Sequence, residues 1–130
     1  MGKKILVIED ENSLRKAIGV SLKNQDYEVL MATSAIEAAN TLKAVGMVDA
    51  IWLDHYLLNI ETGLDFLEKI KKNDKWKNIP VFVVSNSVDD NKVSSYYLMG
   101  IEKYYVKAEN SLDTIISDIH EHLEEERNNG

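Results

Sequence analysis

The chain contains no cysteine, a single proline (Pro80) and six glycines in 130 residues. Without cysteine there can be no disulfide, no thiolate nucleophile and no Cys-ligated zinc site. Scarce proline and glycine exclude collagen-like and linker-like architectures. No apolar stretch approaches the roughly 20 residues that a membrane-spanning helix requires. The run behind Met1-Gly2-Lys3-Lys4 meets Glu9 too soon for a signal-peptide core, and Leu6 stands where a myristoylation pattern needs Ser or Thr. A cytoplasmic protein without membrane contact is therefore expected. Positive charge is in deficit as well, with 15 Lys and Arg against 22 Asp and Glu for a net charge of -7, which disfavours nonspecific binding to nucleic acid.

What is present suits one globular domain spanning 1–130, with a core over about residues 4–125 and a solvated, fraying tail at 126–130. Short β-branched runs alternate with longer stretches of helical periodicity, the pattern of a parallel sheet covered on both faces. The expected strands are residues 4–9, 27–32, 48–53, 80–84 and 103–106, the second polar enough for a sheet edge. The first helix is expected over 12–24, with Asn12 or Ser13 as its cap and Leu14, Ala17, Ile18 and Leu22 on its inner face. Ser34 should cap a second helix whose turns are marked by Ile36, Ala39, Leu42 and Lys43 and which Gly46 ends. A third covers 63–73 with Leu64, Leu67 and Ile70 inward, and a fourth covers 88–99 with an ambiguous apolar face. The fifth starts near Asn110-Ser111 and carries Leu112, Ile115, Ile116, Ile119 and Leu123.

The strand ends carry the chemistry. Ile5-Leu6-Val7-Ile8 is closed by Glu9-Asp10-Glu11, Ala50-Ile51-Trp52-Leu53 by Asp54, Val81-Phe82-Val83-Val84 by Ser85, and Tyr104-Tyr105-Val106 by Lys107. In a parallel sheet these groups converge at one edge, where open α/β folds bind ligands. The first turn lacks the glycines that would cradle a nucleotide phosphate, and its acids would repel one unless a divalent cation stood between. Few ligands, all oxygen and completed by water, point to Mg²⁺. The plainer reading is that acids before a helix only favour its N-terminal dipole. Asp54 adds a carboxylate beside the trio that could bind metal, act as a nucleophile toward phosphorus, or both. Lys107 would then neutralise phosphoryl oxygens and Ser85 would donate a hydrogen bond to one.

This series of acidic pair, Asp, Ser, aromatic and Lys resembles the receiver domain of two-component response regulators, over about residues 4–125. The resemblance implies a flavodoxin-like (βα)5 fold with a doubly wound sheet in the order 2-1-3-4-5, an order that belongs to the family's known architecture. It implies Mg²⁺ binding by Glu9 and Asp10 with Asp54 and the backbone carbonyl of Tyr56, phosphorylation of Asp54, hydrogen bonding by Ser85 and charge pairing by Lys107. Tyr104 matches the family's switch aromatic, paired with Ser85. Implied partners are a histidine kinase or histidine phosphotransfer protein and a downstream protein on the surface of the fourth helix, fifth strand and fifth helix. The chain itself would be a monomer or a weak phosphorylation-dependent dimer. Such a domain is a phosphoacceptor rather than an enzyme, although it can assist its own phosphorylation and dephosphorylation. Two departures stand out: Leu58 replaces a usual proline, with Gly63 one residue late, and Ala108 replaces the proline that usually follows the lysine through a cis bond.

Two other readings compete. One is a receiver-like interaction module that works without phosphorylation; the other is a metal-dependent phosphohydrolase with Asp54 as nucleophile. Among the remaining residues, His55 follows Asp54 on the opposite face and is read as incidental or facing a partner. His120 and His122 are read as surface residues, Trp52 as core, and Trp76 as packing over the sheet's edge. Tyr96, Tyr97, Leu98 and Met99 cannot all be buried by one amphipathic helix, so one or two should face a partner.

Overall fold

Five apolar runs form the strands β1 (Lys4–Ile8), β2 (Glu28–Ala32), β3 (Ala50–Leu53), β4 (Val81–Ser85) and β5 (Lys103–Val106). The computed structural model of the chain describes residues 2–57 and 61–129. All strand pairs are parallel, in the order β2-β1-β3-β4-β5. Every residue of β3 and β4 is buried, which is why these strands read as continuous apolar runs: both faces of a parallel sheet are covered. β2 is more exposed, as suits the edge it occupies. Register aligns Ile8 with Leu53, Leu53 with Val83, and Val83 with Tyr104. Glu9, Asp54, Ser85 and Lys107 all follow this level closely, so their side chains gather at one edge.

Alternate strand residues feed two cores. Ile5, Val7, Trp52, Phe82 and Tyr105 pack with Ile18 and Leu22 of α1 (Asn12–Lys23) and with Ile115, Ile116 and Ile119 of α5 (Leu112–Asn129). Leu6, Ile8, Ile51, Leu53 and Val83 pack with Leu42 of α2 (Ala35–Val45), Phe66 and Ile70 of α3 (Gly63–Lys71), and Tyr96 of α4 (Asp90–Leu98). A 3-10 turn, Lys107–Glu109, separates β5 from α5.

The caps expected of α2 are present: the Ser34 hydroxyl accepts from the Glu37 N–H at 3.1 Å, and Gly46 takes φ 87°, a conformation glycine adopts without steric cost. α3 opens with a capping box formed by Thr62 and Asp65.

Several expectations need correction. Neither Asn12 nor Ser13 caps α1; Glu11 holds the cap position without a side-chain bond. Ala17 is exposed, and Ile18, Gly19 and Leu22 form the buried face. Gly19 packs closely there: a Cβ would come within 2.2 Å of the Met31 methyl, so that flexible side chain would have to shift. Ile36 is likewise exposed, while Ala35, Ala38 and Leu42 face the core. Alanines allow close approach to the sheet, and choosing Ala35 over Ile36 turns the helix by about 100°. Leu64 is only half-buried, and Phe66 takes the inward place beside Leu67 and Ile70. α5 continues through the expected frayed tail to Asn129.

Candidate functional site

The backbone ladder extends one residue beyond β1 and β3: the Glu9 N–H donates to the Ala32 carbonyl at 3.0 Å and the Asp54 N–H to the Ile8 carbonyl at 3.1 Å. These bonds fix both acids side by side. Glu9, Asp54 and Ser85 are buried, Lys107 is half-buried and Asp10 is exposed. The 3-10 turn places Lys107 against the acids, with Nζ 2.8 Å from Glu9 Oε1 and 3.0 Å from Asp54 Oδ2. The remaining oxygens hold the loops: Glu9 Oε2 accepts from the Glu11 N–H at 3.1 Å, and Asp54 Oδ1 accepts a long bond from the Tyr56 N–H at 3.4 Å. No cis peptide occurs among the described residues, so Ala108 follows Lys107 through a trans bond. The altered stretch at Leu58, Asn59 and Ile60 lies outside the described residues.

Negative charge is in excess here. Burial pushes the Glu9 carboxyl up from its ordinary pKa, and the neighbouring Asp54 charge adds to this while Lys107 opposes it. Asp10 is also raised, by partial desolvation and then by Glu9. Burial works against the Lys107 ammonium, but the Glu9 and Asp54 carboxylates outweigh it and raise its pKa. One ammonium therefore serves three carboxylates.

A hard divalent cation fits the residues present. Glu9, Asp10 and Asp54 each offer an oxygen, and these atoms lie within 4.8 Å of one another. Among the described residues, the buried Glu9 Oε1 has no hydrogen bond of adequate geometry, although it lies in ion-pair range of Lys107. The donor set is all oxygen, and Lys107 compensates its charge only in part.

Around this centre, the Ser85 hydroxyl accepts a long bond from the Ser87 N–H at 3.3 Å, and the buried Tyr104 donates its hydroxyl to the Ser87 carbonyl at 2.9 Å. Ser87 thus joins the two expected switch residues. The Tyr104 N–H donates to the Tyr97 hydroxyl at 3.0 Å. The Tyr56 ring is exposed, and its hydroxyl lies 3.1 Å from Lys92 Nζ. Of the four apolar residues at the end of α4 and its cap, Tyr96 is buried, whereas Tyr97 and Leu98 are 47% and 88% exposed.

Two residues were missed or misplaced by sequence reasoning. Arg15 reaches back from α1 and donates to the carbonyls of Glu9 at 2.9 Å and Asp10 at 3.3 Å, besides bonding the Asn12 side chain. An arginine one turn into a helix that follows an acidic loop was the available signal. His55 turns into the fold: it is buried with Nδ1 2.7 Å from the Tyr96 hydroxyl, and burial lowers its pKa ahead of the smaller effect of Lys92. β3 ends at Leu53, so strand alternation does not set the direction of His55. Trp52 is buried as expected, and Trp76 Nε1 donates to the Gly46 carbonyl at 3.0 Å. His120 is exposed, with Nδ1 2.8 Å from the Tyr27 hydroxyl, while His122 is half-buried against Phe82. A concavity of about 1100 Å³ lies at the opposite end of the sheet, lined by Lys3, Lys23, Tyr27 and His120 and by none of the converging acids.

A parallel 2-1-3-4-5 sheet whose carboxyl edge gathers acids, a hydroxyl and a lysine is the flavodoxin-like fold in its receiver-like form. Comparison places the chain within that class. The profile of the response regulator receiver domain family matches residues 5–120, and the chain belongs to that family. It is 28% identical over 105 residues to the chemotaxis protein CheY1 of Helicobacter pylori, covering 80% of this chain and 84% of that protein. The solved CheY-like receiver domain protein from Methanospirillum hungatei superposes with a TM-score of 0.88 at 21% identity, over all of both chains, and shows the same fold. The phosphorylated cyanobacterial phytochrome response regulator RcpA superposes with a TM-score of 0.79 at 28% identity, over 92% of this chain and 89% of that one. Receivers of this family typically bind Mg²⁺ and interact with histidine kinases and downstream partners. No helix among the described residues is long and apolar enough to cross a membrane.

Proposed function

We propose that this chain is a single-domain, cytoplasmic phosphoacceptor that receives a phosphoryl group on Asp54 from a phosphohistidine of a histidine kinase or phosphotransfer protein. One Asp54 oxygen attacks phosphorus; the O–P bond forms as the P–N bond breaks, and the imidazole leaves with a proton. Water later cleaves the acyl phosphate, releasing inorganic phosphate and restoring the carboxylate. The observation that carries this reading is the Lys107 ammonium set between Glu9 and Asp54 at 2.8 and 3.0 Å, at the edge where the buried Ser85 also ends its strand.

Lys107, already on Asp54 Oδ2, is placed to neutralise phosphoryl oxygens, and Ser85 to donate to one of them. Glu9, Asp10 and Asp54, with the Tyr56 carbonyl, would hold Mg²⁺, which when bound offsets the charge gathered at the transferring group. Arg15 keeps the Glu9 and Asp10 backbone in place from behind. The phosphorylation of RcpA, a solved structure with 28% identity, supports the assignment of the chemistry.

The signal is conformational. A phosphoryl group that engages Ser85 acts on Ser87, which also holds the Tyr104 hydroxyl. Tyr104 is already buried, so the change falls on the segment from Ser87 into α4 and on the exposed Val88, Tyr97 and Leu98, where a downstream protein would bind.

Intact-protein mass spectrometry after incubation with acetyl phosphate tests the assignment. A single phosphoryl adduct that requires Mg²⁺ and disappears in Asp54→Asn is expected. No adduct under these conditions, together with NMR spectra unmoved by beryllofluoride, would overturn it in favour of a module that works without phosphorylation.

A further inference from the structure

α4 is the least anchored of the five helices. Tyr96 is its one buried residue, whereas α1 and α2 each bury three residues and α3 four. Tyr96 is therefore the helix's main core anchor, helped by the partly buried Val93 and by the Tyr97 hydroxyl that accepts from the Tyr104 N–H. The Tyr96 ring lies edge-on to His55 and tilted against Tyr104, each at a centroid distance of 5.7 Å. Its hydroxyl meets His55 Nδ1 at 2.7 Å in a buried hydrogen bond, either group donating according to the imidazole tautomer.

The hydroxyl occupies a slot that only glycine leaves open. A Cβ on Gly63 would stand 2.5 Å from Tyr96 Oη and 2.5 Å from the Asp54 carbonyl oxygen. The Gly63 N–H also donates to the His55 carbonyl at 2.9 Å, so the start of α3 braces the His55 backbone. A side chain from α4 thus ends against the residue that follows Asp54, with its polar atom enclosed.

We propose that the His55–Tyr96 hydrogen bond is a buried tether that ties the register of α4 to the backbone beside Asp54, and that Tyr96 is a positioning residue for switching. Hydrogen bonds weaken steeply as they lengthen or bend, so a shift of α4 by an ångström forfeits this one and leaves a buried imidazole nitrogen and a phenol unpaired. Two routes from the strand ends meet at the Tyr96 ring: one from His55, next to Asp54 in the chain, the other from Ser85 through Ser87 and Tyr104. Movement along the second that displaces the Tyr96 ring stretches the first. The tether exists in the unmodified protein; only its effect on switching rests on the phosphoacceptor reading.

A double-mutant cycle with Tyr96→Phe, His55→Phe and the pair separates these claims. In the unmodified full chain, Tyr96→Phe should raise hydrogen exchange of the α4 amides at 93–98 roughly tenfold, leaving those of β1 and β3 unchanged. It should also lower, by several-fold, the beryllofluoride concentration that half-converts the protein in Mg²⁺. The double variant, with no orphaned polar partner, should recover the urea midpoint while keeping the altered conversion. Exchange that is unchanged, or that rises equally in α4 and the strands, would overturn the tether. A beryllofluoride midpoint unmoved in Tyr96→Phe would overturn its part in switching. Failure of the wild-type chain to bind beryllofluoride would defeat the phosphoacceptor reading and, with it, the switching role, leaving the exchange data to judge the tether alone.

Discussion

At the amino end of the strands, Asp49 accepts from the Lys4 N–H at 2.7 Å while its own N–H donates to the Lys4 carbonyl at 2.8 Å; at the carboxyl end, Glu9 and Asp54 share one ammonium. Both ends bring a carboxylate onto a chain of net charge -7. At the amino end the charge meets a fixed neutral donor, and the Glu28 N–H to Lys3 carbonyl bond at 2.9 Å closes the neighbouring strand in the same manner. At the carboxyl end burial and mutual repulsion raise two carboxyl groups, so the folded chain carries an unfavourable charge cluster there. The difference teaches which end is arranged for stability and which keeps a capacity for a cation and a phosphoryl group.

Breaking the carboxyl end should have the largest effect. Lys107→Met leaves Glu9 and Asp54 buried without a counter-charge and should cost about 3 kcal/mol in urea unfolding without Mg²⁺. Part of that loss should return with Mg²⁺ or on acidification. At the amino end, Asp49→Ala removes only the acceptor for the Lys4 N–H and should cost about 1 kcal/mol, with the increment from added Mg²⁺ unchanged.

The pH dependence sharpens the same contrast. Glu9 and Asp10 have raised pKa values, so between the ordinary carboxylate range and those raised values the folded chain binds more protons than the unfolded one. Their contribution to stability therefore falls as pH rises through that window. Lys107 is also raised, and its stabilising contribution, present at neutral pH, is lost only as pH climbs through its raised value. Unfolding in urea across pH, with and without Mg²⁺, should show the acidic slope flattened in Glu9→Gln. The smallest effect is expected for Arg15→Ala, about 0.5–1 kcal/mol in stability and a few-fold weaker Mg²⁺ binding by titration, because the guanidinium acts on the carbonyls of Glu9 and Asp10 and not on their carboxylates.

Much of this arrangement was legible in the sequence because it is local. Five apolar runs give the strands, four of them closed by Glu9, Asp54, Ser85 and Lys107, which a parallel sheet brings to one edge, and Ser34 and Gly46 mark the ends of α2 by their own chemistry. Residues set by distant contacts were harder to read. Ile36 and Ala17 satisfy helical periodicity, yet the close approach of the sheet selects Ala35 and Gly19 in their place. Nothing near His55 announces Tyr96, since their bond spans 41 positions and needs the gap at Gly63. The ambiguous face of α4 has the same cause: a single fully buried residue leaves little pattern.

The most direct test of the contrast is urea unfolding of the wild-type chain and Glu9→Gln, each with and without Mg²⁺. The account predicts that Glu9→Gln, which leaves Lys107 paired with Asp54 alone, is more stable than wild type by about 1 kcal/mol in the absence of Mg²⁺ and gains less from adding it. A Glu9→Gln chain that is less stable without the metal, yet gains as much from Mg²⁺ as wild type, would contradict it.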